Sequence, residues 1–91
     1  MGRPVRAKPA ALAPAPWPDV ASPDPVGEVA RRFTLNLREA VGSRSIRSVA
    51  EASGLAHVTL LQVLAGQTWP DLETIAKLER GLDVPLWPRR K

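Results

Sequence analysis

The sequence predicts an all-α domain of four to five helices behind a disordered N-terminal arm, and three observations carry that prediction. From Val26 onwards apolar residues recur at helical spacing, with no strand-period run and no long heptad seam. Glycines at 42, 54 and 66 cut that pattern into short segments. Seven of the ten prolines fall before Val26, which sets an Ala/Pro-rich stretch apart from the folding unit. Ninety-one residues suffice for one small domain. The expected division is an arm at 1–25, a domain at 26–88 and a basic tail at 89–91.

The arm mixes alanine and proline with little to bury, and Trp17 is its one aromatic residue. Missing backbone donors and extended bias at each proline predict a polyproline-leaning, disordered segment acting as linker or solubiliser, with a specific docking segment as the alternative. The first helix follows, with Val26, Val29/Ala30, Phe33, Leu37 and Ala40/Val41 on one face, and it ends at Gly42. Ser43 or Ser45 caps the second, whose apolar positions are Ile46, Val49, Ala50 and Ser53. Gly54 stops it, because glycine enters the left-handed region without the strain other residues meet there. Leu55 fills the corner, and a third helix runs from about Ala56 to Ala65 with Leu60, Val63 and Leu64 inward. Beyond Gly66 and the loop Gln67-Thr68-Trp69, Pro70 and Asp71 open a fourth helix with Leu72, Ile75, Ala76, Leu78 and Leu82 as its stripe. Pro85 and Pro88 end regular helix, so Leu86 and Trp87 are expected to fold back, Trp87 into the core.

Charge points to a polyanionic partner only once its location is known. The chain carries +4, yet residues 26–88 balance seven basic against seven acidic side chains. The surplus lies in Arg89-Arg90-Lys91 and in the arm, where Arg3, Arg6 and Lys8 outnumber Asp19 and Asp24. Five of the seven domain cations fall between Arg31 and Arg47, so one end of the domain is expected to be positive. One of Arg31 and Arg32 is expected to pair on the outer face of the first helix with Glu28 or Glu39.

Several function classes lack their parts. There is no cysteine and one histidine, His57, so no metal site or thiol chemistry is expected. No Ser/His/acid set or glycine-rich phosphate loop occurs, and Glu51, Glu73 and Glu79 keep ordinary surface spacing, so neither an enzyme nor a cofactor is expected. The N-terminus lacks an apolar signal core and no stretch has the length of a membrane span, which predicts a cytoplasmic protein without a membrane partner.

Helices of about nine residues are unstable alone, so the second and third must be braced by the first and fourth. Such a frame presents one short helix rigidly, as a helix-turn-helix does when it sets its second helix in the major groove. The bend needs a small residue, Ala50, and a glycine at the turn, Gly54; Val49-Ala50, Gly54-Leu55, Leu60, Val63 and Gly66 complete the pattern. Over about Val26 to Trp87 the chain resembles the lambda-repressor-like helix-turn-helix domains of the Cro/cI type, the XRE family. The resemblance is strongest in SIRSVAEASGLAHVTLLQVLAGQTWPDLETIAKLERGLDVPLWP, whose ending looks like an actinobacterial subset.

That resemblance implies a double-stranded DNA-binding transcriptional regulator. It places base contacts on His57, Val58, Thr59, Leu61 and Gln62, and phosphate contacts on Arg44, Ser45, Arg47, Gln67, Thr68 and Trp69. Chemistry fits part of this set, since imidazole and amide groups can pair with base edges and Val58 and Leu61 can meet thymine methyls. Trp69 beside a proline also reads as a packing lid. Ile46 stands where the family often has Gln, which moves phosphate binding toward Arg44 and Arg47. A homodimer is expected, because one short helix buries too little surface for tight specific binding. A rival reading keeps the fold but makes the uncharged third helix a contact face for a protein partner.

Overall fold

Four apolar-periodic segments become four α-helices in the computed structural model, which describes residues 7–89. They are α1 (Pro25–Val41), α2 (Ile46–Ser53), α3 (His57–Leu64) and α4 (Leu72–Leu82), and a 3-10 turn (Pro9–Leu12) precedes them. No strand occurs among the described residues. Side-chain caps fix three of the starts. Asp24 accepts from the backbone N–H of Val26 and Gly27, Ser45 from Ser48 and Asp71 from Thr74. Asp71 is therefore the cap of α4 and Pro70 stands before it, one step outside the helix start expected at Pro70-Asp71.

α2 packs on α3 and α4, and α1 packs on α3. The core between them holds Phe33, Leu37, Val41, Val49, Ala50, Leu60, Val63, Ile75, Leu78, Leu82 and Leu86, with Ile46, Leu55 and Leu64 half-buried against it. Gly54 makes the turn with φ 68° and ψ 33°, and its N–H bonds back to the last turn of α2. Gly81 lies within α4 where a Cβ would strike Ser53, so α2 and α4 touch through glycine and serine. The Ser53 hydroxyl is buried there without a hydrogen-bond partner. Removing an unsatisfied hydroxyl is nearly free of cost, so Ser53→Ala should leave stability unchanged or raise it by up to about 1 kcal/mol in thermal melts.

Some apolar residues face the other way from expectation. Leu72 is 82% exposed, because at 100° per residue it stands roughly 120° round the helix from Leu78. Ala76 is exposed on the far side. Val26 and Val29 keep to the inner side of α1 but open onto a cavity of about 190 Å³ shared with Phe33, Trp69, Ile75 and Trp87. Trp87, expected in the core, is 55% exposed, while its neighbour Leu86 is fully buried. The tail is fixed by Leu86: its N–H donates to Glu79 Oε2 at 2.7 Å and its carbonyl accepts from Asn36 Nδ2 at 2.9 Å. Adjacent residues of an extended segment point apart, and only one of the two can fill the slot.

Residues 1–6, with Arg3 and Arg6, and residues 90–91 lie outside the described residues, and residues 7–24 of the expected arm lie along the domain. Pro9 is fully buried and Trp17 half-buried. Hydrogen bonds hold the segment as well, backbone to backbone from Ala10 N–H to Gly66 O at 2.9 Å and from the Trp17 side-chain Nε1 to Leu64 O at 3.3 Å. Farther along, Arg31 grips Glu28 through two bonds of 2.8 and 2.7 Å and donates from Nη1 to Pro18 O, while Ser22 N–H donates to Glu28. Composition suggested little to bury, and Pro9, Pro18 and Trp17 supply the burial this segment has.

The Glu28 cluster titrates. Hydrogen bonds from Arg31 and then from Ser22 N–H hold its carboxyl at about 2, down from 4.5. The folded value lies below the unfolded one, so this stabilisation is complete above pH 4.5 and disappears as pH falls toward 2. With the Glu28 side chain 27% exposed, solvent screening limits the loss to about 1–2 kcal/mol. Melting curves between those pH values should show the loss in the natural chain, and Glu28→Gln should flatten it.

Candidate nucleic-acid interface

Burial of Leu60 and Val63 fixes the rotation of α3, and the opposite side is left to solvent. On it stand His57, Val58, Leu61 and Gln62, all exposed, Val58 at 60% and Leu61 at 42%. Thr59 is half-buried at the edge of this surface. The exposed side thus has one imidazole, one amide and two aliphatic groups, with no charged residue anywhere in the helix.

α2 presents its start differently. Arg44 and Arg47 are exposed, and neither forms an ion pair among the described residues. Ser45 is committed to capping, its Oγ accepting from Ser48 N–H at 3.0 Å, which leaves its own hydroxyl proton for another acceptor. The N-terminal end of a helix also carries partial positive charge. Arg31 and Arg38 are spent internally, on Glu28 and on Asp19 at 3.0 Å, while Arg32 is half-buried and forms no ion pair among the described residues. Of the five cations expected to make one end positive, Arg44 and Arg47 are the two that are both exposed and unpaired among the described residues.

The loop after α3 is shared with the arm. Gln67 is exposed and accepts through Oε1 from Lys8 Nζ at 3.0 Å, while Thr68 is half-buried. Trp69 is half-buried, donates from Nε1 to Ala7 O at 2.8 Å and walls the apolar cavity, which agrees with its reading as a lid. Its indole N–H points at the arm backbone. Arg44 is brought beside Trp17, Ile46 and Leu64 around a second cavity of about 360 Å³. Lys8 and Trp17 were not among the expected site residues. Nothing local marks them, since their partners lie 59 and 47 positions away in the chain.

No group of three or more His, Asp or Glu side chains among the described residues could hold a metal ion. Nor is any described helix long and apolar enough to cross a membrane.

The arrangement has counterparts. A helix-turn-helix family model matches residues 37–86, more than half of the chain. The chain belongs to the helix-turn-helix family, of the XRE type. Among solved structures this helix-turn-helix chain is similar to the restriction-modification controller protein C.AhdI from Aeromonas hydrophila. Identity is 33% and the TM-score 0.54, over 58% of this chain and 83% of that one. No curated protein matches the sequence. The matched span takes in α2, α3 and α4 but not the arm, which begins before it.

Proposed function

We propose that the chain is a sequence-specific double-stranded DNA-binding transcriptional regulator, of the subset that its ending WPDLETIAKLERGLDVPLWP resembles. In this reading α3 lies in the major groove. DNA-binding transcription regulation is supported by the family match and by the similarity to a controller protein. The observation that carries the finer reading is the rotation of α3, which exposes His57 and Gln62 together, while the two arginines at the start of α2 are also exposed and unpaired among the described residues. Gln62 is suited to adenine N6/N7, His57 to a donor or acceptor on a base edge, and Val58 and Leu61 to thymine methyls. Thr59 stands nearby at the edge of the same side. Arg44, Arg47 and the Ser45 hydroxyl, with Gln67 and Thr68 in the following loop, serve the phosphates, which fix register without reading sequence. Trp69 belongs at the margin of that loop as a wall more than as a ligand.

One eight-residue helix reads few bases, so the functional unit is a homodimer on two half-sites. Selection from a random-sequence duplex pool at two salt concentrations tests this reading. A recovered consensus with two half-sites supports it, and equal retention of all sequences at low salt with none at high salt contradicts it.

One observation favours a second reading. Val58 and Leu61 form an exposed aliphatic pair on an uncharged helix, a surface that also suits a protein partner. Under that reading Val58→Ser and Leu61→Ser abolish partner binding while Arg44 and Arg47 tolerate substitution.

A further inference from the structure

The docked arm meets the domain at one end of the proposed DNA surface. Trp17 lies against Gly66, where a Cβ would come within 2.6 Å of the indole and 2.9 Å of Ala10 Cβ. Gly66 has φ 68°, so the chain leaves α3 by a left-handed step that also clears room for the ring. The arm then serves carbonyls at and just beyond the end of α3: Trp17 Nε1 donates to Leu64 O, the last residue of the helix, and Ala10 N–H to Gly66 O in the turn after it. The Leu64 carbonyl, in the last turn, has no partner within the helix. Trp69 Nε1 returns a bond to Ala7 O. Lys8, between Ala7 and Pro9, is thereby held over the loop, and its ammonium bonds Gln67 Oε1 at 3.0 Å.

That bond orients the Gln67 amide. With Oε1 accepting from Lys8, the Nε2 group is turned to donate; one direction is taken by a long contact of 3.4 Å to Ala65 O. An exposed ammonium and an exposed amide donor therefore sit side by side, both suited to a single anionic oxygen pair.

We propose that Lys8 is a phosphate-binding residue of the DNA interface, presented together with Gln67 by an arm that Trp17 clasps onto Gly66. This rests on the DNA-binding reading and extends it to a segment outside the matched family region. The ammonium adds charge that the loop itself lacks, since Gln67, Thr68 and Trp69 carry none. Because it reaches its place only through the clasp, its contribution depends on Trp17.

The test is a titration of selected and random duplex with the whole chain and with Lys8→Ala, Lys8→Arg, Trp17→Ala and Lys8→Ala/Trp17→Ala, each over a range of salt. Lys8→Ala should bind about three- to ten-fold more weakly on both duplexes and lower the salt slope by about one, as a lost phosphate contact does. Lys8→Arg should retain affinity and slope. Trp17→Ala should lose at least as much, and the double variant should bind like Trp17→Ala alone. The proposal is overturned if Lys8→Ala binds as tightly as the natural chain or more tightly with an unchanged slope, or if the two losses multiply in the double variant. A natural chain that binds no duplex overturns the DNA reading itself, and the proposal falls with it.

Discussion

His57→Ala and Gln62→Ala are each expected to weaken binding to the selected duplex by about 1–3 kcal/mol and to change binding to random duplex far less. Both side chains are exposed on α3, so neither substitution removes core packing. Their effect is loss of discrimination. Arg44→Ala and Arg47→Ala should instead weaken both duplexes to a similar degree and reduce the salt slope, because a phosphate contact releases condensed counterions whatever the sequence. Anisotropy titrations of the four variants at two salt concentrations separate the two patterns. Equal losses on both duplexes for His57→Ala would assign it to the backbone, and no loss for either α3 variant would remove base readout from this helix.

Gly81→Leu should be the most damaging exposed-looking substitution in the domain, at about 3 kcal/mol or more. Gly81 is inside α4, and in an ordinary exposed helix replacing glycine by alanine gains about 1 kcal/mol. Here a Cβ would strike the Ser53 hydroxyl and come within 2.7 Å of Ser53 Cα and 2.9 Å of Ala52 O. Backbone atoms cannot step aside as a flexible side chain can, so steric repulsion outweighs propensity and even Gly81→Ala should lose about 1–2 kcal/mol. Urea or thermal unfolding reads both. A raised melting temperature for Gly81→Ala would show that α2 and α4 are free to separate there.

What could be read from the sequence follows the range of each interaction. The helix-turn-helix was legible because its determinants are local: Val49, Ala50, Leu60 and Val63 fall at helical spacing, Ser45 stands at a cap, and Gly54 must take a left-handed turn. The exposed side of α3 follows from its buried side, so His57, Val58, Leu61 and Gln62 emerged as a group. Gly81 gave no signal, since its role depends on how closely two helices cross. The contacts of the arm gave no signal for a related reason. Proline-rich composition describes the free segment, whereas Trp17 and Ala10 meet Gly66 and its neighbours, some fifty positions later. Trp87 shows the same limit at the other end. Size favoured it for the core, but Glu79 and Asn36 fix the tail with Leu86 inward.

The central claim, that α3 is the DNA-reading surface, is tested most directly by an NMR titration of the isotope-labelled full chain with its selected duplex. The account predicts saturable changes in the amides and side chains of His57, Val58, Leu61 and Gln62, accompanied by Arg44, Arg47 and the loop at Gln67-Thr68, while Val26, Val29 and Trp87 around the apolar cavity stay unchanged. Changes concentrated at Val26, Val29 and Trp87, with α3 unperturbed at saturation, would contradict it.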